Sequence, residues 1–161
     1  MNILVTGASG LIGSALVRRL KEKSNAIYCQ SRTPHEDELG VKWIKHDLVN
    51  DSWDGLSLPE INVIYHLAGQ TSTYRAKQNP TADLSANVLA LLNLLENFRK
   101  QEHPPFIVLA GTATEVGLTD QLPINESFAD RPITFYDISK LTAEMYLKQY
   151  VKERFVNGCC L

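Results

Sequence analysis

Residues 2–13 read Asn2-Ile3-Leu4-Val5-Thr6-Gly7-Ala8-Ser9-Gly10-Leu11-Ile12-Gly13. The first five form a short apolar run that stops at Gly7. Beyond the glycines, Ile12, Leu16 and Leu20 recur at helical spacing over residues 11–22. The stretch reads as a strand, a tight turn and a helix. In such a unit one glycine permits the sharp turn, a second lets a diphosphate approach the backbone, and a third lets the helix pack closely on the sheet. Ser9, Leu11 and Ile12 sit where free helical N–H groups and the positive end of the helix dipole would hold that diphosphate. Gly7, Gly10 and Gly13 are therefore chemistry for a dinucleotide, and their place between strand and helix gives the motif its weight.

Outward from this unit the segments alternate in type. Further strands are expected at 26–31, 41–46, 63–67 and 106–109, and residues 155–161 look like the opening of a sixth. A long helix before the fifth strand places Leu84, Val88, Leu91 and Leu95 at i, i+4, i+7 and i+11, and another helix covers 135–153. Continuous apolar strands alternating with helices predict right-handed crossovers and a parallel sheet covered on both faces. The fold class is doubly wound α/β. At 161 residues, with 44% apolar and 21% charged residues, the chain has the size and balance of one globular domain, 1–161.

Sixteen Lys and Arg against eighteen Asp and Glu leave a formal net charge of −2, so no broad basic field exists to hold a nucleic-acid backbone or an anionic bilayer. No apolar run approaches the roughly 18 residues of a membrane span, and the start Met1-Asn2-Ile3 lacks a charged leader. The expectation is a cytoplasmic protein without nucleic-acid or membrane partners. Cys29, Cys159 and Cys160 are odd in number and the last two are adjacent. Neither a disulfide framework nor a metal site is suggested.

In a dinucleotide site an acid at the end of the second strand usually binds the ribose 2′-hydroxyl. Here that strand ends in Ser31-Arg32. A guanidinium fork suits a 2′-phosphate, which favours NADP over NAD, although a solvated surface arginine would look the same. Asp47 after the third strand is either an acceptor for the adenine amino group or a turn-former before Leu48. Tyr136 and Lys140 lie one helical turn apart, which taken alone reads as an ordinary surface pair, with Thr134 and Asp137 spaced as an N-cap and its partner. A nearby cation, added to the positive charge of an oxidised nicotinamide, favours the phenolate, which can take the proton of an alcohol whose hydride leaves for the cofactor. Ile138, Leu141 and Met145 are expected to form the buried stripe of that helix. Thr112 falls just past the fifth strand, where ligands bind in this architecture, and Thr114 is its rival for holding a substrate oxygen.

Together these residues resemble the extended short-chain dehydrogenase/reductase family, in its branch of nucleotide-sugar epimerases and dehydratases. The TGxxGxxG pattern falls at Thr6, Gly7, Gly10 and Gly13, and the adenine-site acid at Asp47, followed by Leu48. The HLAG-type motif falls at His66-Leu67-Ala68-Gly69, the Asn-Val pair at Asn87-Val88, the hydroxyl residue five before a glycine at Thr112, and the YxxxK pair at Tyr136 and Lys140. The resemblance implies a Rossmann-like fold and cofactor contacts from Leu67, Ala68, Gly69 and Asn87. It also implies catalysis by Thr112, Tyr136 and Lys140 on a nucleotide sugar with NAD(P), and homodimers built on the long helices. Departures fall at Ala110-Gly111, where serines are common, and at Val116, where an aromatic is common. Similar proteins are about twice as long and carry a second, sugar-binding domain. The chain is thus expected to be the cofactor-binding portion, truncated before the substrate domain and inactive alone.

Overall fold

A computed structural model describes residues 1–23 and 26–161. Six strands, β1 (Asn2–Thr6), β2 (Ala26–Ser31), β3 (Val41–Lys45), β4 (Val63–His66), β5 (Phe106–Leu109) and β6 (Asn157–Cys160), form one sheet in the order β3-β2-β1-β4-β5-β6. Every pairing is parallel. Thr6 lies beside Gln30 on one side and His66 on the other, and His66 lies beside Leu109, so four strands finish level at their carboxyl ends. The strand order reverses direction between β1 and β4. Loops leaving that point open the crevice in which ligands of doubly wound sheets bind.

The helices are α1 (Leu11–Lys21), α2 (Thr73–Gln78), α3 (Pro80–Leu84), α4 (Ala90–Phe98) and α5 (Phe135–Lys152). Ile3, Val5, Ile27 and Cys29 pack with Val17 of α1 on one side of the sheet. Leu4, Ile64 and Ile107 pack on the other with Leu91, Leu94 and Leu95 of α4 and Ala143 and Leu147 of α5. Neighbouring residues of β1 thus feed opposite cores, which is why the strand is apolar without alternation.

The long helix expected before β5 is interrupted. Asn79 Oδ1 accepts from Ala82 N at 3.0 Å and Pro80 takes the first helical position, so the chain restarts there. Between α3 and α4, Ser85–Leu89 is wound as a π-helix. Its wider turn changes the phase, so Asp83 before it and Asn87 within it point inward and Leu84, expected in the buried stripe, is 51% exposed. Val88, Leu91 and Leu95 are buried as their spacing predicts.

Helix α5 begins at the expected capping box, with Asp137 N donating to Thr134 Oγ1 and Thr134 N donating to Asp137 Oδ2. Its buried face is the opposite of the one expected. Ile138 and Met145 are 49% and 61% exposed, while Lys140, Ala143 and Leu147 are buried. A lysine in a helix ordinarily marks the solvent side. Here its ammonium donates to the Ala110 carbonyl, which offsets the cost of burial and lets Ala143 and Leu147 below it reach the core.

Candidate active site

Gly7 follows β1 with φ of +64°, and a side chain there would meet Ala68 N at 2.8 Å. The turn after β1 and the segment after β4 are therefore in backbone contact. The turn is fixed from β2, because Gln30 Oε1 accepts from Gly7 N at 3.0 Å while Gln30 Nε2 donates to His46 O at 2.5 Å. Gly13 presses on the same turn: a Cβ on it would lie 2.3 Å from Gly7 O. The N-terminus of α1, entered through Gly10, has neither a side-chain cap nor an acid in its first turn, and Leu11 and Ile12 there are exposed. An uncapped helix start with the backbone brought this close fits a diphosphate.

Ser9 Oγ and Ser31 Oγ are 3.3 Å apart beside this turn, and Ser31 Oγ also accepts from Thr33 N at 3.2 Å. Arg32 is exposed next to them. The Asp47 carboxyl is held below its ordinary value chiefly by the Val49 N–H donating at 2.9 Å, with Asn50 and the Arg32 charge adding to the effect against some desolvation. Asp47 is thus a turn-former within the field of Arg32. Leu48 is buried in the core.

After β4, Thr6 Oγ1 lies 2.9 Å from His66 Nδ1 and accepts from Ala68 N at 3.3 Å, tying the HLAG segment to the glycine turn. Burial first, and the Lys140 charge second, lower His66 to about 3, so its ring is neutral. Leu67 packs on the α1 side of the sheet. A Cβ on Gly69 would lie 2.6 Å from Asn87 Oδ1. That amide clamps the loop: Oδ1 accepts from Gln70 N at 3.2 Å, and Nδ2 donates to Gln70 O and to Asp83 Oδ1, both at 3.1 Å.

At the end of β5, Thr112 caps a short 3-10 helix, Ala113–Val116. Its hydroxyl lies near enough to the Tyr136 phenol to act on its ionisation and is 2.9 Å from Thr114 Oγ1. Thr114 donates onward to Asp137 Oδ1 at 2.6 Å, which gives this rival threonine a role in docking the first turn of α5. Lys140 donates to the carbonyl of Ala110, two residues before Thr112. Thr112, Tyr136 and Lys140 therefore gather at the carboxyl edge, two strands along from the glycine turn. Burial pushes the Tyr136 phenol up, Thr112 draws it down, and Asp137, Asp83 and Glu115 push it up again. Burial lowers Lys140, while Cys160, Glu115 and Asp83 oppose that. Burial and the surrounding carboxyls together hold the Tyr136 phenol above its ordinary value, so the lowering expected from the neighbouring Lys140 is not seen in the chain by itself. Positive charge added beside the phenol would act against them.

Residues 3–161 match the model of the NAD dependent epimerase/dehydratase family. The chain belongs to that family. It is 29% identical over 161 residues to the UDP-glucose 4-epimerase of Mycolicibacterium smegmatis, an alignment covering 93% of this chain and 51% of the relative. Among solved structures it is similar to UDP-glucose 4-epimerase with UDP-glucose from Thermotoga maritima, with 26% identity and a TM-score of 0.89 over 99% of this chain and 54% of that one. It is also similar to RMD from Pseudomonas aeruginosa complexed with NADPH, with 25% identity and a TM-score of 0.80 over 99% and 52%. The chain spans about half the length of the curated relatives it matches. Its fold is Rossmann-like, as the motifs implied.

In this epimerase/dehydratase chain three polar residues outside the quoted motifs also shape the carboxyl edge: Gln30, Asp83 and Glu115, all buried. A polar residue inside an otherwise apolar strand was the available signal for Gln30. Asp83 and Glu115 lie in polar surroundings, and only the folded chain turns them inward. Among the described residues no group of three or more potential metal ligands is gathered, and no helix is long and apolar enough to cross a membrane.

Proposed function

We propose that this chain is the cofactor-binding domain of a nucleotide-sugar epimerase/dehydratase-type oxidoreductase, with residues 1–161 holding the dinucleotide and a further substrate domain completing the sugar site. The observation that carries this reading is the meeting of the Tyr136 phenol with the Thr112 hydroxyl, beside a buried Lys140, on the sheet edge that also bears the glycine turn. When bound, the nicotinamide supplies a hydride acceptor and a positive charge. Thr112 Oγ1 holds the substrate oxygen, Tyr136 Oη takes the proton of the sugar hydroxyl, and Lys140 favours the phenolate and orients the ribose. Gly7, Ser9, Gly10, Leu11, Ile12 and Gly13 cradle the diphosphate. Asp47 and Leu48 border the adenine, and Leu67, Ala68, Gly69 and Asn87 border the nicotinamide side. Ser31 and Arg32 favour NADP; of the similar structures, RMD is complexed with NADPH and MoeE5 with NAD. The exposed Ile138 and Met145 on α5, with Leu84 and Leu89, are the surface for a homodimer.

Calorimetric titration with NAD and NADP tests the cofactor assignment. A tenfold preference for NADP corresponds to about 1.4 kcal/mol, and Arg32→Ala should remove it. In a form containing the substrate domain, Tyr136→Phe should abolish hydride transfer to the nicotinamide while cofactor affinity changes little. Unchanged turnover would rule out Tyr136 as the base. A dinucleotide-binding module without catalysis is the alternative, and the convergence of all three side chains argues against it.

A further inference from the structure

The 3-10 helix that Thr112 caps carries a carboxyl that the proposed reaction does not use. Glu115 is 5% exposed, and its Oε1 has no hydrogen-bond partner. Its backbone is pinned, since Arg131 N donates to Glu115 O at 2.7 Å. Helix α5 faces it with Tyr136, Lys140 and Glu144 at four-residue intervals, one side of the helix. Asp130 from the segment before α5 and the Cys160 thiol from β6 complete the surround. The Glu115 and Glu144 carboxyls lie close enough to interact, and Glu144 continues outward to Lys148 at 2.5 Å, whose side chain is 66% exposed. A file of ionisable groups thus runs from Tyr136 through Lys140, Glu115 and Glu144 to water.

Two neighbouring carboxyls in a buried site do not both ionise readily, so one proton is retained by the pair. Burial first, then Glu144 and Asp130, push Glu115 up to about 7. Glu144 feels burial in the same direction, yet its bonds from Lys148 and Cys160 hold it below the ordinary value. The shared proton therefore resides on Glu115. If it leaves, a second buried negative charge faces both Tyr136 and Lys140; that charge opposes formation of a phenolate and favours the ammonium.

We propose that Glu115 is a positioning residue for the Tyr136–Lys140 pair: by sharing one proton with Glu144 it keeps the buried carboxyls at a single negative charge, the state in which the Tyr136 phenol most readily gives up its own proton. The inference rests on the reading of Tyr136 as the base. Its consequence is anticooperative titration: loss of the Glu115 proton as the pH rises through neutrality moves the Tyr136 pKa further up.

Carbon-13 NMR of labelled glutamate carboxyls, with ultraviolet titration of Tyr136 assigned by difference from Tyr136→Phe, tests it in the chain itself. The expected result is one carboxyl with a midpoint of about 7, absent in Glu115→Gln and shifted toward ordinary values in Glu144→Gln. Glu115→Gln should also raise the Tyr136 ionisation constant about tenfold, while Glu115→Asp, which keeps the charge, should leave it near the wild-type value. A packing role predicts the reverse, with Gln harmless and the shorter Asp disruptive. A Glu115 carboxyl titrating in the ordinary range, or a Tyr136 midpoint unmoved by Glu115→Gln, would overturn the inference. Full hydride transfer by Tyr136→Phe would instead remove the base assignment and leave the carboxyl titration standing.

Discussion

Replacing Gly13 by alanine puts a methyl carbon 2.3 Å from Gly7 O, 2.8 Å from Ala8 Cα and 3.0 Å from Ala8 C. All three atoms are backbone, so no rotamer change can relieve the contact. Restoring an ordinary separation requires α1 to back away from the turn by about 1 Å, carrying Val17, Leu16 and Leu20 off the core on the α1 side of the sheet. Inserting a methylene into a well-packed site costs about 1–3 kcal/mol, and backbone on every side places Gly13 at the upper end. For a chain of this size a loss of about 3 kcal/mol lowers Tm by about 6–12 °C. Two companion variants separate the causes. Gly55 has φ of +81° with nothing within 4 Å of its missing Cβ, so Gly55→Ala carries only left-handed strain of about 1 kcal/mol. Gly10 meets a single atom at 3.2 Å, which a shift of a few tenths of an ångström relieves. Thermal denaturation followed by circular dichroism should rank Gly13→Ala below Gly55→Ala and Gly55→Ala below Gly10→Ala. NADP titration should show lost affinity for Gly13→Ala and wild-type affinity for Gly55→Ala. Melting of Gly13→Ala with the wild type would refute the close approach of α1 to the turn.

Burial and Lys140 lower His66 from 6.5 to about 3, so between those values the unfolded chain binds a proton that the folded chain refuses. Stability attributable to this group is complete above pH 6.5 and is lost at about 1.4 kcal/mol per unit as the pH falls. Urea unfolding at pH 7 and pH 5 should show the wild type losing about 2 kcal/mol more than His66→Gln; equal losses would contradict a neutral buried ring. Thr134→Ala removes the acceptor of Asp137 N–H at 3.1 Å and should cost about 1 kcal/mol in denaturant unfolding, with unchanged stability arguing that Asp137 alone starts the helix.

The strands and the glycine turn were legible because their signals are local. A run such as Ile3-Leu4-Val5 reads as a two-sided strand wherever it falls, and glycines between strand and helix admit few other purposes. The buried face of α5 was not legible for the same reason that its site works. Tyr136 and Lys140 look like solvent-facing residues by type, and only the Ala110 carbonyl, 30 residues away in sequence, turns the lysine inward. Leu84 misled through phase, since a π-helical turn at Ser85–Leu89 leaves no mark in apolar spacing. Asp83 and Asn87 gain from that change: four apart, they meet the loop after β4 together.

A common cause links the residues that spacing missed. At the carboxyl edge of a parallel sheet, strands end and backbone groups lose their ladder partners, so buried polar side chains must replace them. Gln30 does so for the turn after β1, Asn87 and Asp83 for the loop after β4, and Lys140 for the end of β5. Each replacement brings a titratable or amide group beneath the place where a ligand would lie. The polar network that closes the sheet therefore also sets the charge beneath the proposed cofactor, and Glu115 belongs to it as the member whose own charge changes near neutrality. A substitution that damages the edge structurally will move ionisations at Tyr136 as well. Only shape-preserving changes that remove the ionisable proton, such as Glu115→Gln, separate the two effects.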